Sequence, residues 1–280
     1  MLLFLMAKQP ATTSTSTLSV VLAFGAVAMA FNALFIADDL VSPPPLSPVT
    51  IGEHAYFRPP SDEVWGFPGN STAKYSRSPC PALNSLANHG YIPRDGKALT
   101  PEILKKAVVK VYNFDAGLVN LLSRNLPQHF SLSYLGEHNF VEHDGSLLRV
   151  DTFFKHDPSW VNETLVNGLL VQVEDLNSDG DAVINKQVMA QLRRHREADS
   201  ARDNPEFAMN AYNVIVAYGE AALGLLGLGD SASATISVEH ARSFLVDERI
   251  PADFRPSKTP ISTSDALFVA AQLKFLAWFS

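Results

Sequence analysis

Apolar residues recur every three or four positions along most of the chain beyond residue 80, which is the period of an amphipathic α-helix. Strand-type alternation is scarce, and no Asn-Gly or Asp-Gly pair separates two alternating runs. Residue types that commonly begin helices stand at the head of these segments, namely Pro81, Thr100, Asp115, Ser237 and Ser264. The pattern predicts an all-α single domain with helices over residues 81–88, 101–114, 116–124, 185–195, 209–226, 238–249 and 265–279.

The N-terminal region has a different pattern, because residues 18–37 are almost entirely apolar and carry no charge. A helix that crosses a bilayer needs about 20 such residues. The core of a signal peptide fits equally well, since Lys8 precedes the stretch and Ala28-Met29-Ala30 resembles a cleavage site. We therefore assign residues 1–37 to a signal peptide or membrane anchor, 38–64 to a proline-rich lead-in, and 65–280 to the folded domain.

Composition narrows the class of protein. The chain of 280 residues is 46% hydrophobic and 18% charged, which excludes a disordered polyelectrolyte. Its net charge of −7 argues against nucleic-acid binding. The single cysteine excludes an internal disulfide and any cysteine-rich metal site. Sequons at Asn70 and Asn162 favour export, so we predict a protein that is secreted or, if residues 18–37 are retained, anchored with its domain outside the cytoplasm.

The cysteine lies in an unusual local setting. Cys80 stands between Pro79 and Pro81, directly before a predicted helix. Pro81 has no N–H and suits the first helical position, so the free N–H groups of Ala82 and Leu83 should point back at the sulfur. These donors and the helix dipole are expected to favour the thiolate, the form that binds metals. A small cysteine buried in a proline-rich turn is the alternative.

A second cluster of polar residues lies at 142–146. Glu142 and Ser146 are four positions apart and would share a face on a helical turn. A carboxylate and a hydroxyl, together with a main-chain carbonyl, suit an oxygen-seeking cation such as Mg²⁺. His143 and Asp144 would then point elsewhere, towards each other or a third group.

Three segments resemble one known family, the fungal-type haem-thiolate peroxidases, which include chloroperoxidase and the unspecific peroxygenases. They are SRSPCPALNSLANHGYIPRDG at 76–96, VEHDGSLLRVD at 141–151 and FLVDERIPADFRPSKTPI at 244–261. The resemblance implies a compact multi-helix domain around haem b. It implies Cys80 as the axial ligand of the haem iron, with Pro79, Pro81, Ala82 and Leu83 around it. It also implies a divalent cation, magnesium or alternatively manganese, at Glu142, Ser146 and the carbonyl of His143.

The resemblance further implies an acid–base group. The Glu-His-Asp sequence at 142–144 is similar to that of one branch of the family. In that branch a glutamate on a later helix is the acid–base group, and the histidine of the motif orients it. Glu220 is our choice, because its helix is apolar on nearly all faces and desolvation would raise its pKa. Glu206 is the second choice, in a polar segment. His143 and Asp144 are expected to orient the glutamate.

The implied activity is oxidation or oxygenation of small organic substrates by hydrogen peroxide. Val141, Val216 and Leu223 predict an aliphatic pocket, which favours oxygen transfer. Halide oxidation of the chloroperoxidase type is an alternative. So is an inactive haem-binding protein or a membrane-anchored interaction protein.

One further motif resembles a calcium loop. Residues 175–180 begin like an EF-hand, with oxygen-bearing side chains at the first, third and fifth positions and glycine at the sixth. The twelfth position is Lys186, where a bidentate glutamate is needed. The sequence therefore favours a polar turn over a calcium site.

Overall fold

Helices account for most of the regular structure in residues 54–69, 72–176 and 183–280, the parts of the chain that the computed structural model describes. Within them lie eight α-helices and four two-residue strands, so the prediction of a mostly helical single domain is confirmed. The helices are α1 (Pro81–Asn88), α2 (Pro101–Tyr112), α3 (Ala116–Ser123), α4 (Glu163–Leu176), α5 (Lys186–Asp203), α6 (Ala211–Gly227), α7 (Val238–Leu245) and α8 (Thr263–Phe279). The strands are β1 (Val64–Trp65), β2 (Tyr75–Ser76), β3 (Val183–Ile184) and β4 (Ile236–Ser237).

Side-chain caps fix where the helices begin. Thr100 and Asp115 each accept a hydrogen bond from the backbone N–H three residues further on, as their positions predict. Helix α8 starts two residues before the predicted segment, because the N-cap is Ser262 and not Ser264. Ser262 and Asp265 form a reciprocal capping box that satisfies two backbone donors.

Helix α4 was not predicted from the sequence. Its interior contains Gly168 and several β-branched residues, which lower intrinsic helix propensity. Tertiary packing overrides this weakness, since Val166, Leu169, Leu170 and Val173 are buried at helical spacing.

Two other helices differ in length from the prediction. Helix α5 continues to Asp203, eight residues beyond the predicted end, through a polar stretch in which hydrophobic periodicity carries no signal. Helix α7 ends at Leu245, before the predicted 249. Glu248 has a left-handed backbone with φ +50°, which a right-handed helix cannot include.

The core lies where α8 packs against α5 and α6. Helix α6 buries Ala217, Ala221 and Leu225 on the side that faces this core. Its opposite side carries Val216 and Glu220, which are partly or largely exposed. An otherwise apolar helix therefore presents one open strip.

Helix α1 packs against α7 at another side of the molecule. Behind it lies an aromatic cluster in which Tyr112 meets Phe244 and Phe254 edge to face. The Tyr112 hydroxyl donates to the carbonyl of Ala82 at 2.8 Å. This contact fixes the first turn of α1, next to Cys80.

The short strands join distant segments. β1 pairs in parallel with β2, and β3 pairs antiparallel with β4. Residues 54–64, which we assigned to the lead-in, are bonded to the domain through Tyr56 Oη to the carbonyl of Asp247 and Arg58 Nη1 to the carbonyl of Val246.

Several predictions fall on residues outside the described ranges. These are the apolar segment 18–37, the sequon asparagine Asn70 and residues 177–180 of the calcium-like motif, whose first residue, Asp175, lies in α4. Across the described ranges no helix is both long and apolar enough to span a bilayer. The second sequon asparagine, Asn162, accepts a hydrogen bond from the Leu165 N–H at the start of α4.

Candidate active site

The cysteine loop, residues 78–80, leads into helix α1. Cys80 is the N-cap residue, and Pro81 occupies the first turn, as the sequence predicts. The backbone N–H groups of Leu83 and Ala82 lie near the Cys80 sulfur and lower its pKa, although the Cys80 side chain makes no capping hydrogen bond. The sulfur therefore lies where the unpaired donors of a helix end converge.

Opposing effects set the charge state of this sulfur. Burial raises the pKa of Cys80 to about 11, and the N–H donors of Leu83 and Ala82 only partly oppose this effect. The negative charge of Glu220 raises it further, while Arg149 lowers it. In the protein alone, desolvation of the half-buried Cys80 thus opposes the effect of the helix end, which we expected to favour the thiolate. Coordination to a metal would itself deprotonate the thiol.

Hydrogen bonds fix the backbone of the cysteine loop. Asn84 Oδ1 accepts the Ser78 N–H at 2.9 Å, and Asn84 Nδ2 donates to the Ser78 carbonyl at 2.8 Å. Arg149 Nε donates to the Pro79 carbonyl at 3.2 Å. The Cys80 N–H donates to the Ser78 hydroxyl at 3.2 Å. Neither Asn84 nor Arg149 was predicted as a site residue, because no sequence pattern marks a side chain that bonds to the backbone of another segment.

The acidic turn, residues 142–146, is not helical, which corrects the expected shared face of Glu142 and Ser146. Gly145 adopts φ +68°, a left-handed conformation that suits glycine. Its carbonyl accepts from Arg193 Nη1 at 2.7 Å, and the Ser146 carbonyl accepts from Arg196 Nε at 2.8 Å. The turn is thus held by two arginines of helix α5.

Asp151 completes this support. It is fully buried, and its carboxylate accepts from the Gly145 N–H at 3.0 Å and from Arg196 Nη2 at 2.8 Å. Ser200 and Asn204, at the end of α5, donate to its other oxygen. The polar half of α5, which had no predicted role, therefore anchors the acidic turn.

His143 connects the acidic turn to helix α6. The residue is 3% exposed, and its Nδ1 donates to the Asp144 carbonyl at 2.7 Å. Its Nε2 lies 3.5 Å from Oε2 of Glu220. A carbonyl can only accept a hydrogen bond, so Nδ1 of His143 carries a proton. In a neutral His143, Nε2 then has no proton to donate to the carboxylate of Glu220. This contact becomes a hydrogen bond only when the His143–Glu220 pair takes up one more proton. Burial alone would lower the pKa of His143, but the hydrogen bond and charge of Glu220 raise it overall.

The Asp144 carboxylate makes its contact with the loop before α6 and not with Glu220. Its Oδ2 accepts from the Ala208 N–H at 3.0 Å, in the loop that precedes α6. Burial raises the pKa of Asp144, with the Ala208 N–H opposing this effect. Its carboxylate therefore ties the acidic turn to the loop that leads into the helix of Glu220.

Glu220 lies on the open strip of α6, in contact range of His143. Its side chain is 47% exposed, so the burial that we expected from its apolar helix is not present. Since its charge affects the Cys80 thiol, the two side chains are within electrostatic reach. Glu206, the second choice, is exposed in the segment before α6, and it is Glu220 that His143 contacts.

The side chains that flank Glu220 on α6 leave open space beside its carboxylate. Val216 and Leu223 stand one turn to either side of it and are half-buried, as is Val141 before the acidic turn. A Cβ added to Gly219 or Gly224 would meet no atom within 4 Å. The open strip is therefore apolar apart from one carboxylate.

Glu142 combines burial with incomplete bonding. The residue is 3% exposed, its Oε2 lies 2.6 Å from Nδ1 of His138, and its Oε1 has no hydrogen-bond partner. Burial raises the pKa of Glu142, with the contact to His138 opposing this effect. Ser146 Oγ accepts from the N–H groups of Leu148 and Arg149 at 3.4 and 3.3 Å. His138 holds one oxygen of the carboxylate.

Comparison with known proteins relates this arrangement to a family. Residues 54–259 match the family described as Peroxidase, family 2. The chain is 35% identical over 213 residues to an aromatic peroxygenase of Cyclocybe aegerita, covering 66% of this chain and 56% of that protein. It is 30% identical over 207 residues to an aromatic peroxygenase of Coprinellus radians, covering 64% of this chain and 77% of the relative.

A chloroperoxidase of Leptoxyphium fumago shares 36% identity over 107 residues, which is 31% of this chain and 29% of that protein. The chain thus spans a little over half of the Cyclocybe aegerita relative. The matched region contains Cys80, the acidic turn and Glu220. The chain belongs to Peroxidase, family 2, the haem-thiolate peroxidases.

Proposed function

We propose that this protein is a haem-thiolate peroxidase that uses hydrogen peroxide to oxidise or oxygenate small organic molecules, with Cys80 as the axial ligand of haem b. The observation that carries this is the Cys80 sulfur at the start of α1, within electrostatic reach of the Glu220–His143 pair. The site residues fit the group, since a sulfur with two N–H donors and an open apolar strip suit a flat apolar macrocycle. The cofactor would supply an electron-rich iron that favours cleavage of the O–O bond.

Glu220 is the proposed acid–base group. A carboxylate in the open strip can take a proton from one oxygen of peroxide and return it to the other. His143 keeps that carboxylate in place through Nε2, and the raised pKa of His143 favours the form in which the pair holds the extra proton. Asp144 positions the loop before α6, so its role is indirect.

We also propose a divalent cation, magnesium or manganese, at the acidic turn. The unpaired Oε1 of Glu142 supports this proposal, because a buried carboxylate oxygen without a donor is costly. The described residues contain no group of three or more His, Cys, Asp or Glu side chains set to hold a metal ion. The remaining ligands would therefore be the His143 carbonyl, the Ser146 hydroxyl, water and the cofactor.

The substrate side of the site is apolar. Val141, Val216 and Leu223 would meet a hydrophobic molecule, which favours oxygen transfer over halide oxidation. The contact between Glu220 and His143 favours a working enzyme over an inactive haem-binding relative. Export, glycosylation of Asn70 and Asn162, and a membrane anchor at 18–37 stay predictions.

The carbon-monoxide difference spectrum of the reduced protein tests the proposal. The long-wavelength Soret band of thiolate-ligated haem is expected for the wild type and absent for Cys80→Ala. A wild type that binds no haem, or that shows the same spectrum as Cys80→Ala, contradicts the proposal. Product analysis with peroxide and an alkylbenzene, with and without chloride, then separates oxygen transfer from halide oxidation.

A further inference from the structure

Two buried charges lie outside the proposed acid–base machinery. Arg149 and Glu248 are 1% and 4% exposed, and Nη2 of the arginine lies 3.0 Å from Oε1 of the glutamate. They are 99 residues apart in the chain. A buried ion pair loses so much hydration that apolar residues in its place are often as stable. Stability alone is therefore a weak reason for this pair.

The pair is bonded to the cysteine loop from two directions. Arg149 Nε donates to the carbonyl of Pro79, the residue before the proposed haem ligand. Glu248 Oε1 accepts from Asn84 Nδ2 at 2.7 Å, and the same amide is bonded to the N–H and the carbonyl of Ser78. The carboxylate of Glu248 is thus bonded to both side chains, Asn84 and Arg149, that hold the backbone of residues 78 and 79.

Glu248 is itself held in a costly conformation. Its φ of +50° places a non-glycine residue in the left-handed region, which is unfavourable for residues that carry a Cβ. Its carbonyl accepts from Asn88 Nδ2 at 3.1 Å, at the end of α1. The backbone and the side chain of this residue therefore both bind α1, one at each end of the helix.

We propose that Arg149 and Glu248 are positioning residues for the Cys80 sulfur. The pair keeps the peptide groups of residues 78–80 in one orientation, so that the sulfur stays on the haem iron. Neither side chain takes part in the proton transfer assigned to Glu220. This inference rests on the proposed haem-thiolate function.

A cavity beside Glu248 allows a sharp experiment. It has a volume of about 460 Å³ and is lined by Glu248, Arg58, Arg77, Glu163 and Trp160 among others. A small carboxylate such as formate can therefore reach the space that Glu248→Ala would leave. Glu163, at the start of α4, lines the same cavity and is exposed, so Glu163→Gln is a matched control that keeps the Asn162 sequon.

The test uses the haem-loaded protein and two readouts besides turnover. The first is the fraction with the thiolate-type carbon-monoxide band. The second is the labelling rate of the thiol by a maleimide, which reports Cys80 alone because the chain has one cysteine. For Glu248→Ala we expect labelling to become about 10- to 100-fold faster, the range typical of lost support around a metal ligand. The thiolate-type band should fall in parallel, and formate should restore both, whereas chloride should not.

Glu248→Asp should lie between the wild type and Glu248→Ala, and Glu163→Gln should match the wild type. If Glu248→Ala fails to fold, Arg149→Lys is read in the same way, since it keeps the charge but loses the donor geometry. A variant that melts earlier yet keeps the wild-type band and labelling rate overturns the inference. That result differs from failure of the proposed function, in which the wild type itself lacks the thiolate-type band.

Discussion

The cysteine loop and the acidic turn are the two irregular segments of the site, and buried arginines fix both. Arg149 donates to the Pro79 carbonyl in the first, and Arg193 donates to the Gly145 carbonyl in the second. Arginine suits this task, because its planar group presents several donors in fixed directions. Both segments need such donors, since neither helix nor sheet satisfies their carbonyls.

The two networks differ in origin and completeness. The cysteine loop depends on residues 84, 149 and 248, which come from three distant parts of the chain. The acidic turn depends mainly on α5 and the nearby Asp151. It also retains an unpaired oxygen on Glu142, and its partner Glu220 is half exposed. In the proposed function, the first segment would hold the haem ligand, whereas the second would supply the groups that exchange a proton and hold a cation.

The largest expected effect separates these two tasks. Glu220→Gln keeps the size of the side chain but removes the group that takes and returns the proton. We expect peroxide-dependent turnover to fall about 10²- to 10⁴-fold, the usual contribution of an acid–base group. The carbon-monoxide spectrum should be unchanged, because the cysteine loop is intact. Turnover is measured with an excess of an apolar substrate.

Glu206→Gln is the matched control for this change. Glu206 is exposed in the segment before α6, so its removal should leave turnover at the wild-type level. Full turnover in Glu220→Gln, or a large loss in Glu206→Gln, would show that the acid–base assignment is wrong.

The sequence predicted these two segments unequally. Cys80 stands out from local signals alone, because two prolines and a helix start surround it, and the structure places it at the N-cap of α1 with Pro81 in the first turn as predicted. The desolvation that raises the pKa of Cys80 could not be predicted, since burial depends on tertiary packing. Arg149 and Glu248 gave no signal, because their partners lie far along the chain. The pairing of His143 with Glu220 came from resemblance to a family and not from spacing.

The second prediction concerns the support of the acidic turn. Asp151 is fully buried and bonded to Arg196, Ser200 and Asn204. Asp151→Ala should lower the free energy of unfolding by about 3–5 kcal/mol, because it removes the fully buried carboxylate that pairs with the partly buried Arg196 and accepts from Ser200 and Asn204. Urea denaturation measures this loss. Asp203→Asn, at an exposed pair with Arg202, should leave the unfolding midpoint unchanged, and a similar loss in both variants would contradict the special role of Asp151.

The third prediction is a pH dependence of the stability of the fold, which arises from the acidic turn and not from the cysteine loop. Glu220 raises the pKa of His143, so the folded state holds its proton more firmly than the unfolded state. The resulting stabilisation is complete below the ordinary imidazole pKa of about 6.5 and is lost as the pH rises through the raised value.

Urea midpoints of the wild type and Glu220→Gln, measured across this range, isolate the effect. Glu142 and Asp144 also have raised pKa values, but they are present in both proteins and cancel in the difference. The advantage of the wild type should shrink as the pH rises. A difference that stays constant would show that the pair does not share a proton in the folded state.

The smallest expected effect concerns the cation that we propose at the acidic turn. Treatment with a chelator should lower the melting temperature of the wild type by about 2–4 °C, equivalent to roughly 1 kcal/mol for a domain of this size. Glu142→Gln should lack this response, because the unpaired Oε1 that would bind the cation no longer carries charge. His138→Ala should keep the response, since His138 occupies the other oxygen. Elemental analysis of the purified protein then distinguishes magnesium from manganese. If no divalent metal is present and the chelator has no effect, Glu142 is a buried carboxyl held by His138 without a cation, and the two segments differ in proton exchange alone.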